Sequence, residues 1–198
     1  MTVTNNDLTI FTNKNENGIK LSDRLNTVLT NSKYFDVLVG YFRITGFYLL
    51  KEQLEDVKEI RILIGLGVDI ETVRAMDIFE LSGANATRKV QKIITEEFNN
   101  TEDDNLEMEN GVFKFCEWIK SGKLKIRMCY EKNVHAKLYI VRKDPNKVPD
   151  QFGNLITGSS NFTFNGLDKN VEFNVELKNQ SDVQYGLDFF EELWKDSK

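Results

Sequence analysis

Two continuous apolar segments, separated by one helix-forming segment, limit the fold of this chain most strongly. Residues 34–42 (YFDVLVGYF) and 59–67 (EIRILIGLG) are rich in β-branched and aromatic side chains, which is typical of strands buried on both faces of a sheet. Residues 45–57 predict a helix with Thr45 as its N-cap. Strand, helix and strand at this spacing predict a βαβ unit with a parallel pair of strands.

The rest of the chain adds strands and helices to this unit. Hydrophobic periodicity predicts further strands at 8–12, 123–130, 136–142, 154–158 and 171–178, and helical segments at 70–78, 90–98 and 112–119. It also predicts a helix at 19–33 whose buried face carries Leu21, Leu25, Val28 and Leu29. A closing helix has Val183, Leu187, Phe190 and Trp194 on its inner stripe. The polar residues 99–110 predict a mobile loop, and residues 143–154, which contain both prolines, predict another. The predicted fold class is α/β, with a mixed sheet flanked by helices.

Length and composition predict one domain over residues 1–198, because 40% apolar and 29% charged residues are ordinary values for a packed chain. The chain stops just after its closing helix, which is typical of a domain excised from a longer protein, here as its N-terminal part. No apolar run approaches the ~20 residues of a membrane helix, and the N-terminus lacks the features of a secretory signal. We therefore expect a cytoplasmic protein that does not associate with membranes and has two reduced cysteines.

Charge leaves the class of substrate open. The net charge of −5 argues against a general nucleic-acid coat protein. Acidic residues are concentrated in 95–110 and in the closing helix, whereas 114–147 is rich in Lys and Arg. A basic region of this kind remains suitable for a phosphodiester substrate.

Reactive side chains stand at the ends of three neighbouring predicted strands. His135, the only histidine of the chain, and Lys137 lie two residues apart at the start of an apolar strand, so both are predicted to point to one face. Ser159 and Asn161 follow the next strand, and Glu172 belongs to the last one. An imidazole, an ammonium group, a hydroxyl, an amide and a carboxylate are therefore expected on one surface.

Each part of this pattern is weak by itself. A His-x-Lys pair is most often a solvated strand face, Gly-Ser-Ser-Asn is a common turn, and alternating Asn and Glu usually mark the wet side of a strand. In order and spacing, however, the set resembles the HKD motif of the phospholipase D superfamily, HxK followed by GSxN and a glutamate. The matching residues are His135, Lys137, Gly158, Ser159, Asn161 and Glu172.

The resemblance extends beyond the motif. The segments FDVLVGYFRITGF, EIRILIG and FFEELW are similar to the phospholipase-D-like domains that precede superfamily-two helicases and to those of certain restriction endonucleases. Two departures stand out. Arg142 replaces the aspartate five residues after the motif lysine, and the proline-containing loop lengthens the gap from Lys137 to Gly158. The missing aspartate argues against the lipid-active subtype more strongly than against the chemistry of the motif residues.

The resemblance implies a two-step displacement at phosphorus through a covalent phosphohistidine on His135. Glu172 would hold the other ring nitrogen, while Lys137, Asn161 and Ser159 would stabilise charge on the phosphoryl oxygens. Gly158 and Asn170 would contribute to substrate binding, and neither a metal ion nor a cofactor is required.

Family members use a second histidine to protonate the leaving group, and this chain has none. We therefore expect a homodimer in which another copy completes the site. Tyr41 and Phe42 are expected to line the groove by stacking on bases, the alternative being that both are core residues.

Three functions remain open at this point. The first is a metal-independent endonuclease that acts on DNA within a restriction system or with a fused or associated helicase. The second is a non-catalytic module for dimerisation or DNA binding, and the third is a lipid-active phospholipase or phosphatidyltransferase. The complete set of His, Lys, Asn and Glu favours the first, and the lack of a basic amphipathic helix disfavours the third.

Overall fold

A mixed sheet lies at the centre of the fold in the computed structural model, which describes residues 9–14, 18–68, 102–129 and 134–197. Within those residues the sheet has seven strands in the order β1-β7-β6-β5-β2-β3-β4. The strands are β1 (Ile10–Thr12), β2 (Ser32–Phe42), β3 (Glu59–Val68), β4 (Leu124–Met128), β5 (Leu138–Lys143), β6 (Gly153–Gly158) and β7 (Phe173–Leu177). The helices are α1 (Leu21–Leu29), α2 (Ile44–Tyr48), α3 (Glu102–Lys120) and α4 (Gln180–Asp196), together with a π-helical segment, Asn165–Lys169.

Strand direction divides the sheet into two halves. β2, β3 and β4 run parallel to one another, which confirms the predicted parallel pair. β5 is antiparallel to both β2 and β6, and β7 is antiparallel to both β6 and β1. The fold is therefore a mixed sheet flanked by helices, as the sequence predicts.

The two faces of the sheet carry separate apolar layers. Alternation along β2 sends Val37 and Val39 into a layer that includes side chains of α1, α2 and α3. Leu38 points the other way, into a layer that is closed by α4. The predicted inner faces of α1 and α4 are confirmed, because all eight residues that the sequence places on these two faces are buried. Within the described residues, no helix is long and apolar enough to cross a membrane.

Two predicted elements differ substantially from the structure, beyond shifts of a few residues at the ends of others. The helix predicted at 45–57 ends at Tyr48 and is followed by turns; Arg43 is its N-cap, and the Thr45 hydroxyl instead accepts a hydrogen bond from the Phe164 N–H (3.3 Å). The polar loop predicted at 99–110 was wrong from residue 102 onward, because α3 begins at Glu102. A polar, acidic sequence is compatible with the first turn of a helix, where the dipole favours negative charge. The segments predicted at 70–78 and 90–98 lie outside the described residues.

A buried ion pair joins α1 to β7. The guanidinium of Arg24 donates to both carboxylate oxygens of Glu176, at 2.5 and 2.8 Å, and the Asn154 amide donates to the same carboxylate at 2.7 Å. Glu176 is 1% exposed and Arg24 6%. Since an unpaired charge is costly at such depth, α1 and the end of β7 must assemble together.

A second ion network lies under α4 and explains the arginine that departs from the motif. Asp36, 1% exposed, accepts hydrogen bonds from Arg61 (2.5 Å) and from Arg142 (2.9 Å). Arg61 also donates to Glu191 of α4 at 2.6 Å. Arg142 thus neutralises a buried carboxylate near the end of β5 that is remote from His135.

The Arg24–Glu176 pair yields a stability prediction. Arg24→Met should lower the free energy of unfolding by about 3–5 kcal/mol, since it leaves a buried carboxylate without its cation. Urea unfolding of the single variants and of Arg24→Met/Glu176→Gln measures the coupling. We expect the second substitution to recover part of the loss, because it removes the uncompensated charge and keeps an acceptor for Asn154. Strictly additive losses would contradict this account.

Candidate active site

The antiparallel register brings the predicted site residues to one edge of the sheet. Leu138, the first residue of β5, pairs with Thr157 near the end of β6, and Gly158 pairs with Asn174 near the start of β7. The segments that precede β5, follow β6 and precede β7 therefore leave the sheet at the same edge, where β2 also ends. These segments carry His135, the Ser159–Asn161 turn and Glu172 respectively.

His135 and Lys137 lie just before β5 and not within it, because the strand starts at Leu138. The backbone of this segment rests on β3. A Cβ atom on Gly65 would lie 2.2 Å from the Val134 carbonyl oxygen, so only glycine permits this approach. The His135 side chain is exposed, and the Lys137 ammonium group donates to the His135 carbonyl oxygen at 2.8 Å.

Ser159 connects the end of β6 to Glu172. Its N–H donates to the Phe173 carbonyl oxygen (3.1 Å), its hydroxyl oxygen accepts from the Phe173 N–H (3.1 Å), and its hydroxyl donates to the Glu172 carboxylate. Gly158 permits this close pairing, since a Cβ there would lie 2.3 Å from the Phe173 carbonyl oxygen. Backbone pairing thus holds the serine and the carboxylate together.

The expected contact between Glu172 and the His135 ring is not formed in the single chain. Among the residues that the structure describes, the hydrogen-bond partner of the Glu172 carboxylate is Ser159, and the His135 imidazole makes no hydrogen bond. The side chain of Asn170 is exposed near the same segment. Glu172 therefore lies at the same edge of the sheet as His135, and its carboxylate is bonded to the Ser159 hydroxyl.

Asn161 is oriented by the end of β2. Its Oδ1 atom accepts a hydrogen bond from the Tyr41 N–H at 3.1 Å. Its NH₂ group makes no hydrogen bond within the described part of the chain and is a competent donor to an anion. Since the Tyr41 side chain is 54% exposed, it lies where a substrate could contact it.

Phe42 does not belong to this surface, so its predicted stacking role is wrong. It is fully buried and stacks on Phe162 and Phe115, with ring centroids 5.2 and 6.2 Å apart. Strict alternation from Val37 and Val39 would place Tyr41 in their apolar layer, but Phe42 occupies it instead. The β2–β3 register shifts between Val39 and Tyr41, and an irregularity of this kind changes the direction of the side chains that follow it. Tyr41 alone of the aromatic pair remains a candidate.

The polar residues of β7 do not lie on a solvent-exposed face, although alternating Asn and Glu usually mark such a face. Asn174 and Glu176 are buried, whereas Val171 and Phe173 are 68% and 56% exposed. The polar side of this strand therefore faces the interior. There Asn174 accepts a hydrogen bond from the Ser160 hydroxyl at 3.1 Å, and Glu176 pairs with Arg24.

A buried tyrosine stabilises the Ser159–Asn161 turn from the interior of the protein. The Tyr139 hydroxyl donates to the Ser160 carbonyl oxygen at 3.0 Å, and its ring stacks on Phe162 with centroids 6.3 Å apart. Burial, reinforced by the negative charge of Glu172, holds the pKa of Tyr139 well above its ordinary value. The sequence places Tyr139 only as an apolar strand residue, so its support of the Ser159–Asn161 turn was not predicted.

Asn13 is a second residue that the sequence does not identify. Its side chain bonds the backbone of residues 168–172, although it lies in a polar N-terminal stretch without a motif. Its partners are distant in sequence, so no local signal could reveal the contact.

The comparisons with known proteins identify the family. Residues 25–194 match the family described as "Cardiolipin synthase, PLD-like domain", so the chain belongs to the phospholipase-D-like family. No curated protein matches the sequence.

Among solved structures that are similar to this chain, one has a TM-score above 0.5 and shows the same fold. Phosphatidylserine synthase from Haemophilus influenzae is similar with a TM-score of 0.52 and 14% identity, over 96% of this chain and 39% of that chain. NucT from Helicobacter pylori has a TM-score of 0.49 and 11% identity, over 95% of each chain. Nuc from Salmonella typhimurium, a phospholipase D family member, has a TM-score of 0.41 and 16% identity, over 96% of this chain and 94% of that chain. At these identities the likeness concerns the fold.

The support of the turn by Tyr139 yields a pH-dependent prediction. Tyr139→Phe should destabilise the protein by about 1–2 kcal/mol near pH 8, because the Ser160 carbonyl oxygen loses its donor. Since the folded state keeps the pKa of Tyr139 above 10.0, ionisation in the unfolded chain removes stability as the pH rises above that value. The difference between wild type and variant should therefore shrink above pH 10.

Urea unfolding at pH 8, 10 and 11 measures this effect, with Tyr185→Phe as the control because Tyr185 is 77% exposed. A difference that stays constant over this range would show that Tyr139 does not contribute through its hydroxyl.

Proposed function

We propose that this chain is a metal-independent phosphodiesterase that cleaves DNA through a phosphohistidine on His135, in a single phospholipase-D-like domain that works as a homodimer. The observation that carries the proposal is the convergence of the HxK segment, the Ser159–Asn161 turn and Glu172 at one edge of the sheet. A nucleophile, a cation, amide and hydroxyl donors, and a carboxylate are the groups that displacement at phosphorus requires.

In the first step, an imidazole nitrogen of His135 attacks phosphorus and the bond to the leaving oxygen breaks. An imidazole with an unperturbed pKa near 6.5 is a competent nucleophile at neutral pH when one nitrogen is unprotonated. Glu172 accepts the N–H of the other nitrogen, for which its carboxylate turns from the Ser159 hydroxyl to the ring. The released hydroxyl then becomes a donor for the phosphoryl group.

Charge that develops on the phosphoryl oxygens is stabilised by Lys137 and Asn161. Lys137 exchanges its bond with the His135 carbonyl oxygen, 2.8 Å long in the single chain, for a bond with the substrate. The Asn161 NH₂ group needs no such exchange, because the hydrogen bond from the Tyr41 N–H orients the side chain through its Oδ1 atom and leaves the NH₂ group available as a donor. These donors act where charge increases in the transition state, which is where they lower the barrier most.

The leaving oxygen needs a proton, and in the proposal the His135 of a second copy supplies it. In the second step the same imidazole removes a proton from water, which attacks phosphorus and breaks the bond to the first histidine. Both imidazoles must reach one phosphorus from opposite sides. At near-attack distances of ~3–3.5 Å each, they should lie roughly 5–8 Å apart across a two-fold axis.

One observation favours the second candidate function, a non-catalytic DNA-binding or dimerisation module. The Glu172 carboxylate is bonded to Ser159 and not to the His135 ring. If the bond to Ser159 persists when the substrate binds, the histidine lacks its orienting acceptor. Association with a helicase or restriction system is a proposal for either function.

Activity in EDTA tests the mechanism. His135→Ala should abolish cleavage of plasmid and oligonucleotide substrates, because the chain has no other histidine. Lys137→Ala should lower kcat by about 10³-fold, because charge stabilisation at the transition state is lost. Lys147→Ala, an exposed lysine in the loop before β6, is the matched control and should retain full activity. Cleavage that disappears in EDTA and returns with magnesium, or that survives in His135→Ala, would contradict the mechanism.

Subunit mixing tests the shared site. Wild type and His135→Ala are mixed in equal amounts and allowed to exchange, and cleavage is compared with that of wild type at the same total concentration. If only dimers with two intact histidines are active, about one quarter of the activity should remain. Independent chains would retain about one half. Sedimentation should also show a dimer, and an active monomer would exclude completion by a second copy.

A further inference from the structure

One side chain of the N-terminal segment, Asn13, holds the stretch of backbone that carries Glu172. Its Oδ1 atom accepts a hydrogen bond from the Glu172 N–H at 2.9 Å. Its NH₂ group donates to the Asn170 carbonyl oxygen at 2.7 Å and to that of Asp168 at 3.4 Å. A single carboxamide thus uses its acceptor and its donors on the residues that lead into β7.

Asn13 is itself firmly placed. It follows β1 directly, and the preceding residue, Thr12, pairs with Phe173 of β7. The Ile19 N–H donates to the Thr12 carbonyl oxygen at 3.1 Å. Gly18 permits the close approach of this segment, since a Cβ there would lie 2.6 Å from the Asn13 Cα. The backbone of the asparagine is therefore held by β1 on one side and contacted by Gly18 on the other.

The contacts require the chemistry of an asparagine. An aspartate has the same size but offers acceptors only, so one of its oxygens would face the carbonyl oxygens of Asn170 and Asp168. An alanine would leave all three backbone groups without this partner. Since the Glu172 backbone is held by Asn13 and its carboxylate by Ser159, these two side chains together determine where the carboxylate lies.

We propose that Asn13 is a positioning residue of the active site, which acts through Glu172 and touches neither substrate nor the reacting atoms. The proposal rests on the proposed function, in which Glu172 orients His135. Loss of Asn13 should slow the chemical step by about 10- to 100-fold, because displacement of a catalytic group by about 1 Å has effects of this size. KM should change little, because Lys137 and Asn161 lie on other segments.

A double-mutant cycle tests the route through Glu172. Asn13→Ala, Asn13→Asp and Glu172→Gln are compared with each double variant in kcat and KM. We expect each Asn13 substitution to lower kcat in the wild-type background. In the Glu172→Gln background the same substitutions should lower kcat almost no further. Asn13→Asp preserves the side-chain volume, so its loss of activity cannot come from a cavity. Asn146→Ala, an exposed asparagine in the loop before β6, is the matched control and should behave as wild type.

A second measurement does not depend on activity. Amide hydrogen exchange at Glu172, resolved by NMR, should become faster in Asn13→Ala and stay unchanged in Asn146→Ala. A cooperative thermal unfolding transition verifies that both variants are folded. If the wild type cleaves nothing, the proposed function fails, while exchange still decides whether Asn13 holds Glu172. Unchanged exchange at Glu172, or kcat losses that add fully to that of Glu172→Gln, would overturn the proposal.

Discussion

The antiparallel placement of β5 between β2 and β6 is the constraint on which the site depends. β5 begins where both of its neighbours end, so the residues before it meet the turns that follow those strands. β7 repeats the arrangement against β6 and adds the segment with Glu172. If β5 ran in the opposite direction, His135 and Asn161 would stand at opposite ends of the sheet. Strand direction thus brings together groups that lie far apart in the sequence.

Buried polar contacts hold this edge in place. Ser160, between the two site residues of its turn, is fully buried, and its carbonyl oxygen and hydroxyl are bonded to Tyr139 and Asn174. The turn is therefore fixed from inside the protein while Ser159 and Asn161 face outward. Buried polar groups are costly unless they are bonded, so this arrangement makes the turn rigid. A site that stabilises charge benefits from donors that do not have to reorganise.

In the proposed mechanism two side chains change partners, and both are now held by solvent-exposed contacts. Lys137 is bonded to the His135 carbonyl oxygen, and Glu172 to the Ser159 hydroxyl. Neither contact is part of the strand pairing, so the proposed exchange leaves the sheet intact. Asn161 and the backbone around Glu172, by contrast, are tied to β2 and to Asn13. The site therefore combines a fixed frame with two adaptable side chains.

The sequence by itself determined the fold class, the parallel β2–β3 pair, the apolar faces of α1 and α4, and the family, since these follow from local periodicity and from one spaced motif. Tertiary structure alone decided which of Tyr41 and Phe42 is exposed, that Arg142 neutralises Asp36, and that the polar side of β7 faces inward. It also revealed Tyr139 and Asn13, whose partners lie on other elements. Periodicity shows that side chains alternate, but which side is buried depends on what packs against it, and that is decided only when distant segments meet.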